Sequence, residues 1–415
     1  MTLSEELAWR GFVNQTTYKD IKQLDGEPIT FYFGVDPSAP SMTIGNLAAA
    51  MMVRLFMKYG HQAVLLVGGA TGLIGDPDGK ADERTLKTPD EVADNARAIA
   101  DQYKRILGDR EFTLVNNYDW FKDIGYLQFL REVGKHVPVR QMVQREFVQS
   151  RLSEEGAGIS YAEFSYVLIQ AYDFLHLHRE HGVALQLCGS DQWGNSIAGV
   201  DLIRRITGGE AHVWTTPLVI NKSTGIKFGK TEEGAVWLDP AKTTPTAFYQ
   251  FWINADDEGV EDYLKVFTEL EKGEIERILE AHATDRGARM AQTHLAREVT
   301  RLVHGDAAAE FAAVVTDYLV GKAPIGEADD TILDEIRTQV PVVSVLVGGT
   351  IAEALVQARL ATSLTDARRL VADKAVAIND VKVDGENFTE SDFQNGRLLL
   401  RRGRKYKDSA LVELM

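Results

Sequence analysis

The sequence predicts an α/β fold around a parallel sheet, and three passages from strand to polar loop carry that expectation. In the first, Ile29 to Val35 is rich in β-branched and aromatic residues and reads as a buried strand. Asp36, Pro37, Pro40 and Ser41 break it, and from Ile44 apolar residues recur at helical spacing through Leu47, Met51, Met52, Leu55 and Phe56. A helix start of this kind carries free N–H groups and positive partial charge, which suits a phosphate. In the second, the apolar run Gln62 to Val67 opens onto GGATGLIGDPDGK, Gly68 to Lys80. In the third, Ala184 to Leu187 ends in CGSDQWGN, which sets Gly189, Asp191 and Gln192 at the strand's carboxyl end. Open α/β sheets bind their ligands at that end.

The remaining elements follow in order. Glycines 68, 69, 72 and 75 permit close backbone approach to a ligand. The loop is neither a Walker A motif nor G-x-G-x-x-G, because Gly75 and Gly79 are too close and Ala81 stands where Ser or Thr should be. Asp76, Lys80 and Arg84 add one carboxylate and two cations. Residues 90–110 and 125–150 read as helices around a strand at Phe112 to Val115, and Phe121, Tyr126, Phe129 and Leu130 either cover a partner subunit or fill the core. On the apolar helix Tyr161 to Leu175, Tyr166, Gln170 and Asp173 fall at i, i+4 and i+7, hence on one face. Burying a phenol, an amide and a carboxylate is costly without partners, and a polar ligand would supply them. Lys222 to Thr231, KSTGIKFGKT, is a polar glycine-containing loop of the kind that closes over phosphates. The chain then turns helical to about Val320, passes a Gly-, Pro- and acid-rich linker, and ends in two helical patterns and short strands.

Composition bounds the function. With 415 residues, 45% hydrophobic and 26% charged, the chain is long enough for two or three domains with buried cores. No apolar run approaches the roughly 20 residues of a membrane-spanning helix. The N-terminus lacks a secretory pattern, and the single cysteine, Cys188, fits a reducing cytoplasm, so a cytoplasmic protein is expected. His176, His178 and His181 cluster at one helix end and read as solvated surface, with no metal site expected. The net charge of −16 argues against general nucleic-acid affinity. Residues 341–415, however, hold 11 Lys+Arg against 10 Asp+Glu, which leaves −17 on the rest, and Arg397 to Lys407 has six basic residues and no acid. A specific anionic partner at this end is compatible with an acidic body.

YFGVDPSAPSMTIGNL, LLVGGATGLIGDP, EFSYVLIQAYDF, GSDQWGN, KFGKT and TSLTDARRLVADKAVAINDVKVD together resemble bacterial tyrosyl-tRNA synthetases over essentially the whole chain. KFGKT looks like that family's form of the class I KMSKS loop, and the tail is similar to an S4 RNA-binding domain. The resemblance implies a Rossmann-like class I catalytic domain with a dimerisation insertion (1–220), the loop and a linker (221–244), an α-helical domain (245–320), a further linker (321–340) and an α+β S4-like domain (341–415). It implies an enzyme that joins L-tyrosine to tRNA(Tyr) with ATP and Mg2+, without a protein-bound metal, as a homodimer away from membranes. A synthetase-derived RNA-binding protein with decayed chemistry is the other class of reading.

By position, the resemblance assigns Tyr32 and Asp173 to the substrate phenol, and Asp76, Tyr166 and Gln170 to its ammonium group, with Thr71 beside them. Asp36 and Gln192 would orient the reacting carboxylate and α-phosphate. Ser38, Gly45, Gly189, Asp191 and Lys230 would bind ATP. Thr43, Asn46, Lys80, Arg84, Lys227 and Lys230 would stabilise the developing charge. Arg368, Arg369, Arg401, Arg402, Arg404 and Lys405 would contact RNA. The chain departs from the family where histidine is usual: its tetrad is Thr43, Ile44, Gly45, Asn46. Asparagine keeps an N–H donor. Threonine is shorter than imidazole and always neutral, and losing one transition-state donor costs about 3 kcal/mol. Ser38 or a bridging water could offset part of that.

Overall fold

The computed structural model describes residues 1–77, 86–153, 156, 158–225, 228–231, 234–403 and 406–415. They form two compact units, one of residues 1–242 with 256–286, the other of 243–255 with 287–415.

The first unit is built on five parallel strands: β1 (Thr30–Val35), β2 (Gln62–Val67), β3 (Phe112–Asn116), β4 (Val183–Gly189) and β5 (His212–Thr216), in the order β3-β2-β1-β4-β5. The chain runs outward from β1 through β2 and β3, then crosses to β4 on β1's other side. The β1/β4 boundary is therefore the point where strand order reverses, and a crevice opens beyond the strands' carboxyl ends there. Phe31, Tyr32 and Phe33 of the central strand are all buried. Continuous apolar runs rather than alternation are what strands covered on both faces require.

Three helices frame the crevice. α1 (Ile44–Lys58) follows β1 and buries Leu47, Met51, Met52, Leu55 and Phe56, the residues whose spacing marks it in the sequence. α2 (Pro89–Leu107) starts with a Thr88/Glu91 capping box and proline in its first turn. α3 (Tyr161–His181) starts with a Ser160/Glu163 capping box and ends at Gly182 in the left-handed conformation, one and a half turns beyond the expected Leu175.

The expected helix over 125–150 is broken into Tyr126–Glu132, Gly134–His136, Val139–Val143 and Glu146–Leu152. Gly134 and Pro138 interrupt it, each unfavourable inside a helix. Residues 256–286 fold with the first unit rather than with a separate helical domain. Val260, Tyr263, Leu264 and Phe267 are buried, and their helix packs on α1.

In the second unit, helix Pro245–Ile253 packs against Met290–His304 and Asp306–Leu319. Segment 321–340 is no free linker: it holds a turn at Ile325–Glu327 and helix Asp330–Gln339. Leu333, Ile336 and Val340 repeat at helical spacing and join Val315, Leu319 and Ile325 in one apolar cluster. The terminal sheet comprises β6 (Val342–Val345), β7 (Ala377–Ile378), β8 (Val381–Lys382), β9 (Arg397–Arg401) and β10 (Ser409–Leu414), ordered β8-β7-β9-β10-β6. Helices Ile351–Gln357 and Leu364–Ala372 cover it, around a core that includes Leu355, Leu398 and Leu400.

Candidate active site

A cavity of 420 Å³ opens at the β1/β4 boundary. Tyr32, Asp36, Ser38, Thr43, Gly45, Asn46, Thr71, Asp76, Tyr166, Gln170, Asp173, Gly189, Asp191 and Gln192 all line it. The sequence motifs thus converge on one site. Lys80, Arg84 and Lys227 lie outside the described residues, as does the Lys230 side chain; Lys230 itself belongs to a two-residue strand paired with Gly234–Ala235.

The buried end of the cavity is polar where its surroundings are apolar. Asp173 is 2% exposed and accepts hydrogen bonds from Asn117 Nδ2 and Trp120 Nε1, both at 3.0 Å. Burial pushes its carboxyl well above the usual range, against the lowering effect of those two donors. Tyr32 is equally buried, and its hydroxyl has no hydrogen-bond partner. Burial, then the nearby Asp173 charge, pushes that phenol up. Its cross-strand neighbour Gln186 also has an unpartnered Oε1, as does Gln170 on α3. Buried polar atoms beside a cavity call for a partner, which a polar ligand or a water would supply.

The middle of the cavity holds two carboxylates, Asp36 and Asp76, each hydrogen-bonded to neighbouring side chains. Asp36, just past β1, accepts from Thr71 Oγ1 at 2.5 Å and from Tyr166 Oη at 2.6 Å. Burial and then the Asp36 and Asp76 charges hold the Tyr166 phenol protonated. Gln192 Nε2 donates to Asp76 Oδ2 at 2.6 Å, and Asn195 Nδ2 fixes the Gln192 amide at 3.0 Å. Gly68 is needed here, because a Cβ would collide with both the Asp36 carboxylate and the Thr71 hydroxyl. The concentration of carboxylates suits an ammonium group.

At the open end the start of α1 faces the cavity. Asp191 and Gly45 are exposed, and Gly189 begins the 3-10 turn Ser190–Gln192. The chain after the KFGKT loop runs antiparallel to this helix start: Leu238 N donates to Met42 O at 2.9 Å and Ile44 N to Val236 O at 3.2 Å. Phe228 of the loop stacks on Tyr263 at 4.2 Å. Loop, helix start and helix Val260–Phe267 are thus tied together within the first unit.

Asn117 and Trp120 escape a motif-by-motif reading. They follow β3 in NNYDW, and the rule that strand carboxyl ends carry ligand groups could have found them. Asn117 also donates to Thr71 Oγ1 at 3.1 Å and so joins the buried and middle parts of the site. Cys188 lines the cavity, and burial pushes its thiol up to about 12. His178 contacts the Val183 carbonyl, and His176 stacks on Trp120, so neither is the fully solvated surface expected.

Away from the cavity, Arg368, Arg369 and Arg402 are exposed, whereas Arg404 and Lys405 lie outside the described residues. Arg401 differs from its expected role. It is 6% exposed, paired with Asp380 and bonded to the Val320 carbonyl; residues 398–401 of β9 are all buried, so both faces of the strand are covered there. Along the broken segment and the start of α3, Tyr126, Leu127, Val139 and Tyr161 are each more than half exposed, while Phe121 and Phe129 pack on Tyr172.

The profile of the tRNA synthetases class I (W and Y) matches residues 24–320, and that of the tyrosine–tRNA ligase SYY-like C-terminal domain matches 333–407. The chain is 45% identical to a tyrosine–tRNA ligase of Rhodopirellula baltica, over 98% of this chain and 95% of that one. It is 45% identical to one of Leifsonia xyli, over 99% and 94%. A C-terminally truncated mitochondrial tyrosyl-tRNA synthetase of Aspergillus nidulans superposes with a TM-score of 0.69 at 30% identity, covering 77% of this chain and 94% of its own. Such identity over nearly the full length, on a cavity lined by the residues that the motifs single out, places the chain in the tyrosine–tRNA ligase family of class I aminoacyl-tRNA synthetases.

Proposed function

We propose that the chain activates L-tyrosine with ATP and transfers the tyrosyl group to the terminal adenosine of tRNA(Tyr). A carboxylate oxygen of tyrosine attacks the α-phosphorus of Mg2+-bound ATP, and the bond to pyrophosphate breaks as the acyl–phosphate bond forms. A ribose hydroxyl of the tRNA then attacks the acyl carbon, loses its proton and expels AMP. This chemistry needs positioning and charge stabilisation and no protein nucleophile.

The observation that carries the tyrosine reading is the pairing of Tyr32 and Asp173 at the buried end of the cavity. A substrate phenol would give the Tyr32 hydroxyl its partner and Asp173 a third donor beside Asn117 and Trp120, whereas phenylalanine would leave the buried Tyr32 hydroxyl unpaired; tyrosine against phenylalanine is itself the standard illustration of this asymmetry. Asp36, Asp76, Tyr166, Gln170 and Thr71 receive the ammonium group, with Gln192 beside the substrate carboxylate. Gly189 and Asp191 bind the ribose, and Ser38, Gly45 and Asn46 face the phosphates. Lys80, Arg84, Lys227 and Lys230 supply the positive charge for leaving pyrophosphate.

The RNA face uses Arg368, Arg369 and Arg402, together with Arg404 and Lys405, and omits Arg401. The exposed Tyr126, Leu127, Val139 and Tyr161 support a homodimer. Among the described residues no helix is long and apolar enough to cross a membrane, and the cytoplasm is the proposed location. Tyrosine-dependent exchange of labelled pyrophosphate into ATP tests the reading. Exchange with tyrosine and not with phenylalanine or tryptophan is expected; tyrosine binding without exchange would favour the decayed, RNA-binding alternative. A monomeric mass at micromolar concentration would refute the dimer.

A further inference from the structure

Thr43 stands at the N-terminus of α1, and its hydroxyl is already engaged. Thr43 Oγ1 donates to Asn46 Oδ1 at 3.1 Å, and Thr43 N donates to the same oxygen at 2.9 Å. A side-chain amide has one acceptor oxygen with two lone pairs and one NH2 group. Both lone pairs of Asn46 are thus taken from within the tetrad. Turning the amide over would set its NH2 group against the Thr43 N–H, which can only donate, so the backbone contact fixes the orientation and the hydroxyl adds to it. Asn46 Nδ2, with two N–H donors, is the face left for the cavity that both residues line.

Thr43 is itself held by backbone. It bridges Trp237 in antiparallel fashion, and the adjoining Met42 and Ile44 pair with Leu238 and Val236. The threonine therefore has a fixed place, and its hydroxyl carries that fixity to Asn46. Having given its only proton to Asn46, the hydroxyl has only lone pairs to offer, which an anionic phosphate oxygen does not accept.

We propose that Thr43 is a positioning residue: it touches no substrate, but locks the Asn46 amide so that Nδ2 faces an anionic oxygen of the nucleotide. The assignment deepens the ligase reading and rests on it. In this chain the tetrad thus presents its side-chain donors from one residue, organised by the other.

Five proteins test it: wild type, Thr43→Val, Thr43→Ser, Asn46→Ala and the Val/Ala double variant. Tyrosine-dependent pyrophosphate exchange is resolved into kcat and KM for ATP, tyrosine affinity serves as the control for an intact pocket, and a crystal structure of Thr43→Val reports the amide. Thr43→Val is expected to lose about tenfold in kcat at unchanged tyrosine affinity. Serine, which keeps the donor, restores activity. On the Asn46→Ala background Thr43→Val costs nothing further, because there is no amide left to hold. Multiplying losses in the double variant would mean direct contact with substrate and overturn the proposal, as would a valine variant equal to wild type. If wild type shows no exchange, the ligase reading fails instead. The structure of Thr43→Val still decides this point, since an Asn46 side chain that stays in place without the hydroxyl refutes the lock.

Discussion

The hydroxyl of Tyr166 donates to Asp36 Oδ2 across 2.6 Å, joining the middle of α3 to the carboxyl end of β1. With Thr71 on the other oxygen, Asp36 is held from two elements before any substrate arrives. Tyr166→Phe removes one charge-assisted donor while keeping the ring, and should weaken tyrosine binding by roughly ten- to a hundredfold. Equilibrium dialysis with labelled tyrosine measures it, and an unchanged affinity would show that Asp36 is organised by Thr71 alone.

Asp173 makes tyrosine affinity depend on pH. In the empty site burial raises its pKa, while a complex in which Asn117, Trp120 and the phenol all donate favours the carboxylate. Affinity should therefore rise from about pH 5 until the raised value is passed, then level off. Stability of the empty chain runs the other way: the contribution of Asp173 is full below the ordinary carboxylate range and is lost as pH rises through the folded value. Calorimetric titration and melting across the same pH series test both signs.

Cys188 should resist alkylation although it borders the cavity. The thiolate is the reactive form, and a thiol held near 12 has little of it at pH 8. Iodoacetamide should modify the folded chain on the order of a thousandfold more slowly than the unfolded chain. Mass spectrometry of timed samples gives the ratio, and comparable rates would refute the burial argument.

Gln102 braces the turn before the tetrad. Its Oε1 accepts from Met42 N at 2.7 Å and its Nε2 donates to Ser41 Oγ at 2.9 Å, while Ser41 Oγ also accepts from Asp239 N at 3.1 Å. Gln102→Leu keeps the volume but leaves a buried N–H unpaired, at a cost of about 2 kcal/mol. Urea denaturation is the measurement, and because the turn leads into Thr43, KM for ATP should rise as well.

The arginines of the second unit should separate by role. Arg368→Ala with Arg369→Ala should lower tRNA affinity and flatten its salt dependence without affecting stability. Arg401→Ala should chiefly cost stability, roughly 1–3 kcal/mol, by leaving Asp380 and the Val320 carbonyl without their donor. Filter binding at several salt concentrations, beside thermal melts, distinguishes the two.

Periodicity and strand ends made most of the first unit legible. β1, β2 and α1 lie where the apolar spacing puts them, because burial on both faces leaves a continuous signal. The cavity was legible as separate motifs, but its supports were not. Asn117 is wholly buried and holds Thr71 and Asp173 at once, a role set by three segments far apart in sequence. Arg401 misled for the same reason, since a basic run shows charge and not which side chains of β9 the fold covers. Segment 321–340 read as a linker from its first residues, and only the periodicity of Leu333, Ile336 and Val340 reveals the helix that fills half of it.

The parallel pairing of β6 with β10 has a consequence for synthesis. Val342–Val345 leaves the ribosome before β7, β8 and β9, yet its neighbour in the sheet is β10, which follows all three. Leu411 of that strand also completes the cluster of Leu319, Leu333 and Ile336. Until β10 emerges, an apolar strand edge and an open helical cluster stand exposed together. A chain that stops short of Leu411 carries both.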